Sequence, residues 1–252
     1  VLSAKVNQIS EKIGFVPTAA LTPDLKNQLE SSLSQFQRHL QEIGYKGTEG
    51  GVKISVNPQK DKVGPAYYMD GTIKVEAAFA TDTDILFREY SHHVLITSAR
   101  GNFADEFRGI ESGLASYFSC SFNGDPAFGE KSVTALSNRE GKENSSEFIA
   151  KGSIHNLKND RKFSDLKINP LDTYYIPAEV WGGVFWDMRE SLDQEYTDKL
   201  LFQTWQSLQR KDVKGDLPVY FYKRLLEVNK SLGGENQLNQ IREIFQRRGL
   251  SL

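Results

Sequence analysis

The stretch "DILFREYSHHVL", residues 84–95, decides how the rest of the chain is read. It follows an acidic turn, reads as the start of a buried helix, and carries Arg88, Glu89, His92 and His93 within six positions. Residues 88 and 92 of a helix project from one face about one turn apart. His-Glu-x-x-His at that spacing brings two imidazoles to one metal ion and a carboxylate to a metal-bound water. This chain has Arg-Glu-x-x-His. Three readings stay open: a metal site with a substituted ligand, a site that has lost its metal, or an ordinary helix that carries two histidines.

Arg88 does not fill the first ligand's role, because a guanidinium stays protonated at any working pH and has no lone pair to offer. Glu89 and His92 fill the other two. A third ligand normally arrives from a separate helix, and Glu111 in "GIESGLASYF" is the candidate. His93 projects about 100° from His92, so the two do not easily serve one ion. A pairing of Glu89 with His93 is geometrically open. His39, in an amphipathic helix, and His155, in a loop, read as structural or solvated.

Composition sets the outer limits. The 252 residues suit one large domain or two closely packed lobes, with 38% hydrophobic and 25% charged residues in an ordinary globular balance. A formal net charge of −2 gives no reason to expect nucleic acid or an anionic membrane as partner. No apolar run approaches the length of a membrane span. The chain begins at Val1 without a signal-peptide pattern, which reads as a trimmed or mature fragment. Cys120 is the sole cysteine, which excludes an internal disulfide and any multi-cysteine metal site.

Upstream, Leu25, Leu29, Leu33, Phe36, Leu40 and Ile43 fall at helical spacing over residues 24–43. "VKISV" (52–56) reads as a strand, and "AYYMDGTIKVEAAF" (66–79) as a hairpin turning at Asp70-Gly71, with Ile73, Val75, Ala77 and Phe79 on one face. "TDTD" (81–84) supplies capping side chains for the central helix. Downstream, "ADEFRGIESGLASYFSCSF" (104–122) groups Phe107, Ile110, Leu114, Ala115 and Phe118 on one side. Residues 123–170 read as loops with short helices, and "NREGKENSSE" (138–147) as a solvated loop. Further helices are expected at 177–191, 194–210 and 216–230 and, past Gly233-Gly234, over "ENQLNQIREIFQRRG". Trp181, Phe185, Trp186 and Met188 read as core. The expected fold is α+β: an N-terminal α/β lobe (1–100) with the edge-strand hairpin and central helix, then a helical lobe (101–252), together one unit.

Three segments, in order, carry a family resemblance. "AYYMDGTIKVEAAFATDTDILFREYSHHVL" resembles the hairpin and active-site helix of gluzincin metallopeptidases, the thermolysin-like and fungalysin-like zincins. "ADEFRGIESGLASYFS" is similar to their next helix, and "IPAEVWGGVFWDMRESLDQEYTDKLLFQTW" to their later Trp-containing helix, the most specific of the three. The resemblance covers roughly residues 50–210. It implies Glu89 as the general base, His92 as the second zinc ligand and Glu111 as the third, with Arg88 at the place of the first. Ser116 stands where the family has an Asp supporting that first His, and Tyr175, or Tyr174, where it has an oxyanion-stabilising His. Pro65, beside the edge-strand groove residues Ala66 and Tyr67, replaces an expected Asn.

A first ligand and the acid that orients it depend on each other, so losing both points to a pocket no longer organised around metal. Arg88 is then expected to neutralise Glu111, Glu89 or both. The leading expectation is a metallopeptidase-like domain without catalysis or cofactor, binding peptide or protein by strand addition. The alternative is an active zinc metalloendopeptidase with an atypical site built on His92, Glu111 and either Glu89 or His93. A third is a structural domain of a larger secreted or membrane-anchored protein. The resemblance favours an extracellular, periplasmic or secreted setting.

Overall fold

The computed structural model describes residues 11–99, 105–140, 152–167 and 175–252. Tyr174 and residues 141–147 of the charged stretch lie outside them. The described residues are mixed α+β, with a small sheet followed by a mostly helical part.

Four strands form the sheet in the order β1-β2-β4-β3: β1 (Ile13–Phe15), β2 (Val52–Asn57), β3 (Ala66–Met69) and β4 (Thr72–Glu76). β2 runs parallel to β1 and β4, while β3 pairs antiparallel with β4 and forms one edge. Asp70 and Gly71 join β3 to β4 with φ of 48° and 75°. Both angles are positive, as a two-residue type I′ hairpin requires. The alternation expected through Phe79 ends early: β4 stops at Glu76, the chain turns, and Ala77 is exposed while Ile73, Val75 and Phe79 are buried.

Helix α1 (Pro23–Glu42) buries Leu29, Leu33, Phe36 and Leu40 and packs against α2 (Thr83–Ser98), with Phe36 stacked on Phe87. Its first turn is capped by Thr22, whose hydroxyl accepts from Leu25 N–H. Asp82 likewise caps α2 by accepting from Asp84 N–H at 3.0 Å. Between Ile85 and Leu95 every residue of α2 is buried except Arg88, so its polar side chains need partners inside the protein.

Helix α3 (Arg108–Asn123) follows a short 3-10 turn, Asp105–Phe107, and is buried from Ile110 to Ser121. It packs between α2 and α5 (Tyr175–Leu192). Glycines allow the close α3–α5 crossing: a Cβ at Gly113 would lie 2.3 Å from Trp181 Cβ. Trp181, Phe185, Trp186 and Met188 are all buried. Helices α6 (Gln194–Ser207), α7 (Leu217–Ser231) and α8 (Leu238–Arg247) complete the helical part.

Two features are absent from the sequence reading. β1 is one. The other is a two-stranded sheet, β5 (Ala127–Phe128) with β6 (His155–Asn156), which together with α4 (Val133–Glu140) orders part of the segment read as loops.

Candidate functional site: a cleft on α2 and α3

A cleft of about 320 Å³ opens between the edge strand β3, helices α2 and α3, and the β5–β6 region. Pro65, Ala66, Tyr67 and Tyr68 form one side, and Phe128, Ile154, His155 and Tyr175 contribute to the other. Arg88, Glu89, His92 and Glu111 lie along it, with Arg108 and several apolar side chains. Of the residues singled out from the sequence, Ala66, Tyr67, Arg88, Glu89, His92, Glu111 and Tyr175 therefore line one cleft, while His93, His39 and Ser116 do not.

The register of the hairpin determines what the edge offers. Glu76 N–H donates to Pro65 C=O at 2.8 Å, and the pairs Tyr67–Lys74 and Met69–Thr72 follow at two-residue steps. Bonded and non-bonded pairs alternate in an antiparallel ladder. Ala66 and Tyr68 are the non-bonded positions, so their N–H and C=O groups face away from β4, outward from the sheet. Tyr67 is held on the opposite face, its hydroxyl donating to Asp61 Oδ2 at 2.9 Å.

Arg88 does not snorkel. Its Nη1 donates to Glu89 Oε1 at 2.9 Å, its Nη2 to Ser112 Oγ at 3.1 Å and its Nε to Ser116 Oγ at 3.2 Å. Its side chain is 14% exposed and that of Glu89 5%. Of the two carboxylates expected as partners, Arg88 takes Glu89. Glu111 pairs instead with His92, through Nδ1. Ser116, read from the sequence as a lost support for an imidazole, accepts from the guanidinium.

These donors do not fit a catalytic zinc. Such a site takes three protein ligands with free lone pairs. Here His92 and Glu111 are bonded to each other, Glu89 is bonded to Arg88, and among the described residues no group of three His, Cys, Asp or Glu is disposed to hold a metal ion.

His93 turns the other way, into a buried network that sequence reasoning did not find. Its Nε2 lies 2.7 Å from Glu11 Oε1, and its Nδ1 lies 3.1 Å from Tyr68 Oη. Tyr90 donates to Glu11 Oε2 at 2.7 Å, Tyr45 reaches both carboxylate oxygens at 3.0 Å, and Thr48 also donates. Burial raises the Glu11 pKa, but the hydrogen bond and charge of His93, with the Thr48 and Tyr90 hydroxyls, outweigh it and hold the carboxyl at about 2. Burial and the neighbouring Glu11 push the Tyr45 and Tyr90 phenols above their usual range. The Glu89–His93 pairing left open by helix geometry does not form. His39 is structural, its Nε2 3.0 Å from buried Asp198. His155 is buried in β6, tilted against Phe128 and Tyr175, and faces the cleft. Tyr175 stands at the start of α5, 43% exposed.

No family model matches the chain, and no curated protein matches it. Among solved structures it is similar to a mutant M1 zinc metallopeptidase from Deinococcus radiodurans bound to a Tyr-Ser-Ala substrate, at 12% identity and a TM-score of 0.46. The likeness covers 94% of this chain and 47% of that one, so the chain spans about half that enzyme's length. Among the described residues no helix is long and apolar enough to cross a membrane.

Proposed function

We propose that the chain is a metallopeptidase-like domain of the gluzincin, thermolysin-like kind whose cleft binds an extended peptide or protein segment without hydrolysing it. One observation carries this reading: the outward N–H and C=O groups of Ala66 and Tyr68 lie on a sheet edge that borders a cleft with apolar and aromatic walls. A strand added there gains backbone hydrogen bonds from the edge and side-chain contacts from the cleft. Glu89, His92, Glu111 and Tyr175 are in this reading the remnants of a hydrolytic site. The two lobes act as one unit, in a secreted, extracellular or periplasmic setting.

The test is to screen short extended peptides against the whole chain and then titrate the best binder into Ala66→Pro by calorimetry. Proline removes the outward N–H without breaking a ladder bond, so the expected result is at least about a tenfold loss of affinity, worth roughly 1.4 kcal/mol, with an unchanged melting temperature. Unaltered affinity in a folded Ala66→Pro protein refutes strand addition.

A second reading has one observation in its favour, the gathering of Glu89, His92 and Glu111 at one cleft. If the chain is an active zinc metalloendopeptidase, it cleaves peptides and loses that activity both on chelation and in Glu89→Gln.

A further inference from the structure

The two carboxylates of the cleft pose an electrostatic problem that the protein solves internally. Glu89 and Glu111 are 3% and 4% exposed, and two buried negative charges without partners would repel each other. Arg88 supplies a charge to Glu89, and His92 a hydrogen bond to Glu111. Three of the five guanidinium N–H bonds are engaged, and two of these go to α3. Ser112 and Ser116 are one helical turn apart, so their hydroxyls form a two-point cradle facing Arg88. An arginine lying on a helix surface for solvation alone would show no such cradle.

We propose that the Arg88 guanidinium is the resident cation of this cleft, holding the place and charge of a divalent metal so that the native chain takes up none there. The inference is independent of peptide binding, since a cleft that binds peptide can hold a metal and one that binds none can still carry a guanidinium. It rests on three features of the site. The guanidinium has no lone pair to give a metal at any accessible pH. Its fixed charge, bonded to Glu89, repels a second cation at that carboxylate. The two remaining donors, His92 and Glu111, are already bonded to each other, so an ion would have to break that bond and would gain only two ligands.

Zinc is titrated by calorimetry and by thermal melting into the whole native chain, Arg88→Lys, Arg88→His and Arg88→His/Ser116→Asp. The native protein and Arg88→Lys, which keeps the charge, are expected to show no saturable site. Arg88→His offers an imidazole one turn from His92 and is expected to bind one equivalent, with a melting temperature that rises with zinc concentration. Adding Ser116→Asp, which can orient that imidazole, is expected to tighten binding by roughly ten- to a hundredfold. One saturable equivalent in the native chain that disappears in His92→Ala overturns the proposal. So does the absence of zinc binding in both histidine variants when their circular dichroism is native. If those variants do not fold, the native and Arg88→Lys titrations still decide: a saturable, His92-dependent site in either overturns it, and its absence in both upholds it.

Discussion

Replacing Glu11 by Gln should weaken the fold far more than the loss of a surface glutamate, and the deficit should depend on pH. The carboxylate accepts from Tyr90 and lies against His93 at 2.7 Å, with Tyr45 at 3.0 Å. These partners bring its pKa from 4.5 to about 2 against the opposing effect of burial. A fall of about 2.5, at 1.36 kcal/mol per pH unit, corresponds to a contribution on the order of 3 kcal/mol. The folded-state pKa is depressed, so the contribution is complete above about pH 4.5 and fades as pH falls towards 2. An amide has a similar shape but carries no charge, and its NH2 group faces hydroxyl and imidazole donors. Urea unfolding followed by tryptophan fluorescence between pH 7 and pH 3 measures both effects. Near neutrality Glu11→Gln should be less stable by about 3 kcal/mol, a fall in melting temperature of roughly 6–12 °C. The gap should narrow as the native carboxyl approaches protonation. A gap that stays constant with pH, or no gap at pH 7, refutes the assignment of Glu11 as a charged anchor.

Three other substitutions probe separate parts of the structure. Arg88→Met keeps the stem but leaves Glu89 buried without its charge partner, and denaturant unfolding should show a loss of about 3–5 kcal/mol. Gly113→Ala places a Cβ 2.3 Å from Trp181 Cβ, and thermal melting should report a net destabilisation of about 1–3 kcal/mol despite alanine's better helix propensity. Tyr117→Phe removes the hydroxyl that donates to fully buried Asp198 at 2.6 Å. Calorimetric melting should show a loss of about 1–3 kcal/mol, since Ser121 remains as a hydrogen-bond donor to Asp198 but the carboxylate is undersatisfied.

What could be read from the sequence was what neighbouring residues dictate. Asp70-Gly71 announced its turn because few other residue pairs tolerate two positive φ angles in succession, and the capping run at 81–84 announced the start of α2, where Asp82 proves to accept an otherwise free N–H. Ser116 was singled out only through the family resemblance, as a lost support for an imidazole, and its bond to Arg88 appears only in the fold. β1 was not legible: three residues, "IGF", become a strand only when β2 lies alongside them. The same holds for β5 and β6, two residues each, formed by the pairs Phe128–His155 and Ala127–Asn156, 27 and 29 positions apart in the chain. The Glu11–His93 pair spans 82 positions, and no local pattern encodes a contact at that separation.

The adjacent histidines show how α2 is held. Separated by about 100° around the axis, His92 meets Glu111 on α3 while His93 meets Glu11 beside β1. Tyr90 adds a second bond to Glu11, and Arg88 adds two to α3. Rotation of the helix about its axis would therefore break polar contacts on both sides together, each in a buried setting where an unpaired group is costly. This double fastening makes Arg88 a fixed charge at the cleft. It also couples the cleft to the edge strand, because His93 touches Tyr68, whose outward backbone groups are the ones a bound strand would use. If the cleft takes up a strand as proposed, Glu11→Gln should weaken that binding through the helix before it unfolds the chain, as calorimetric titration of the peptide would measure.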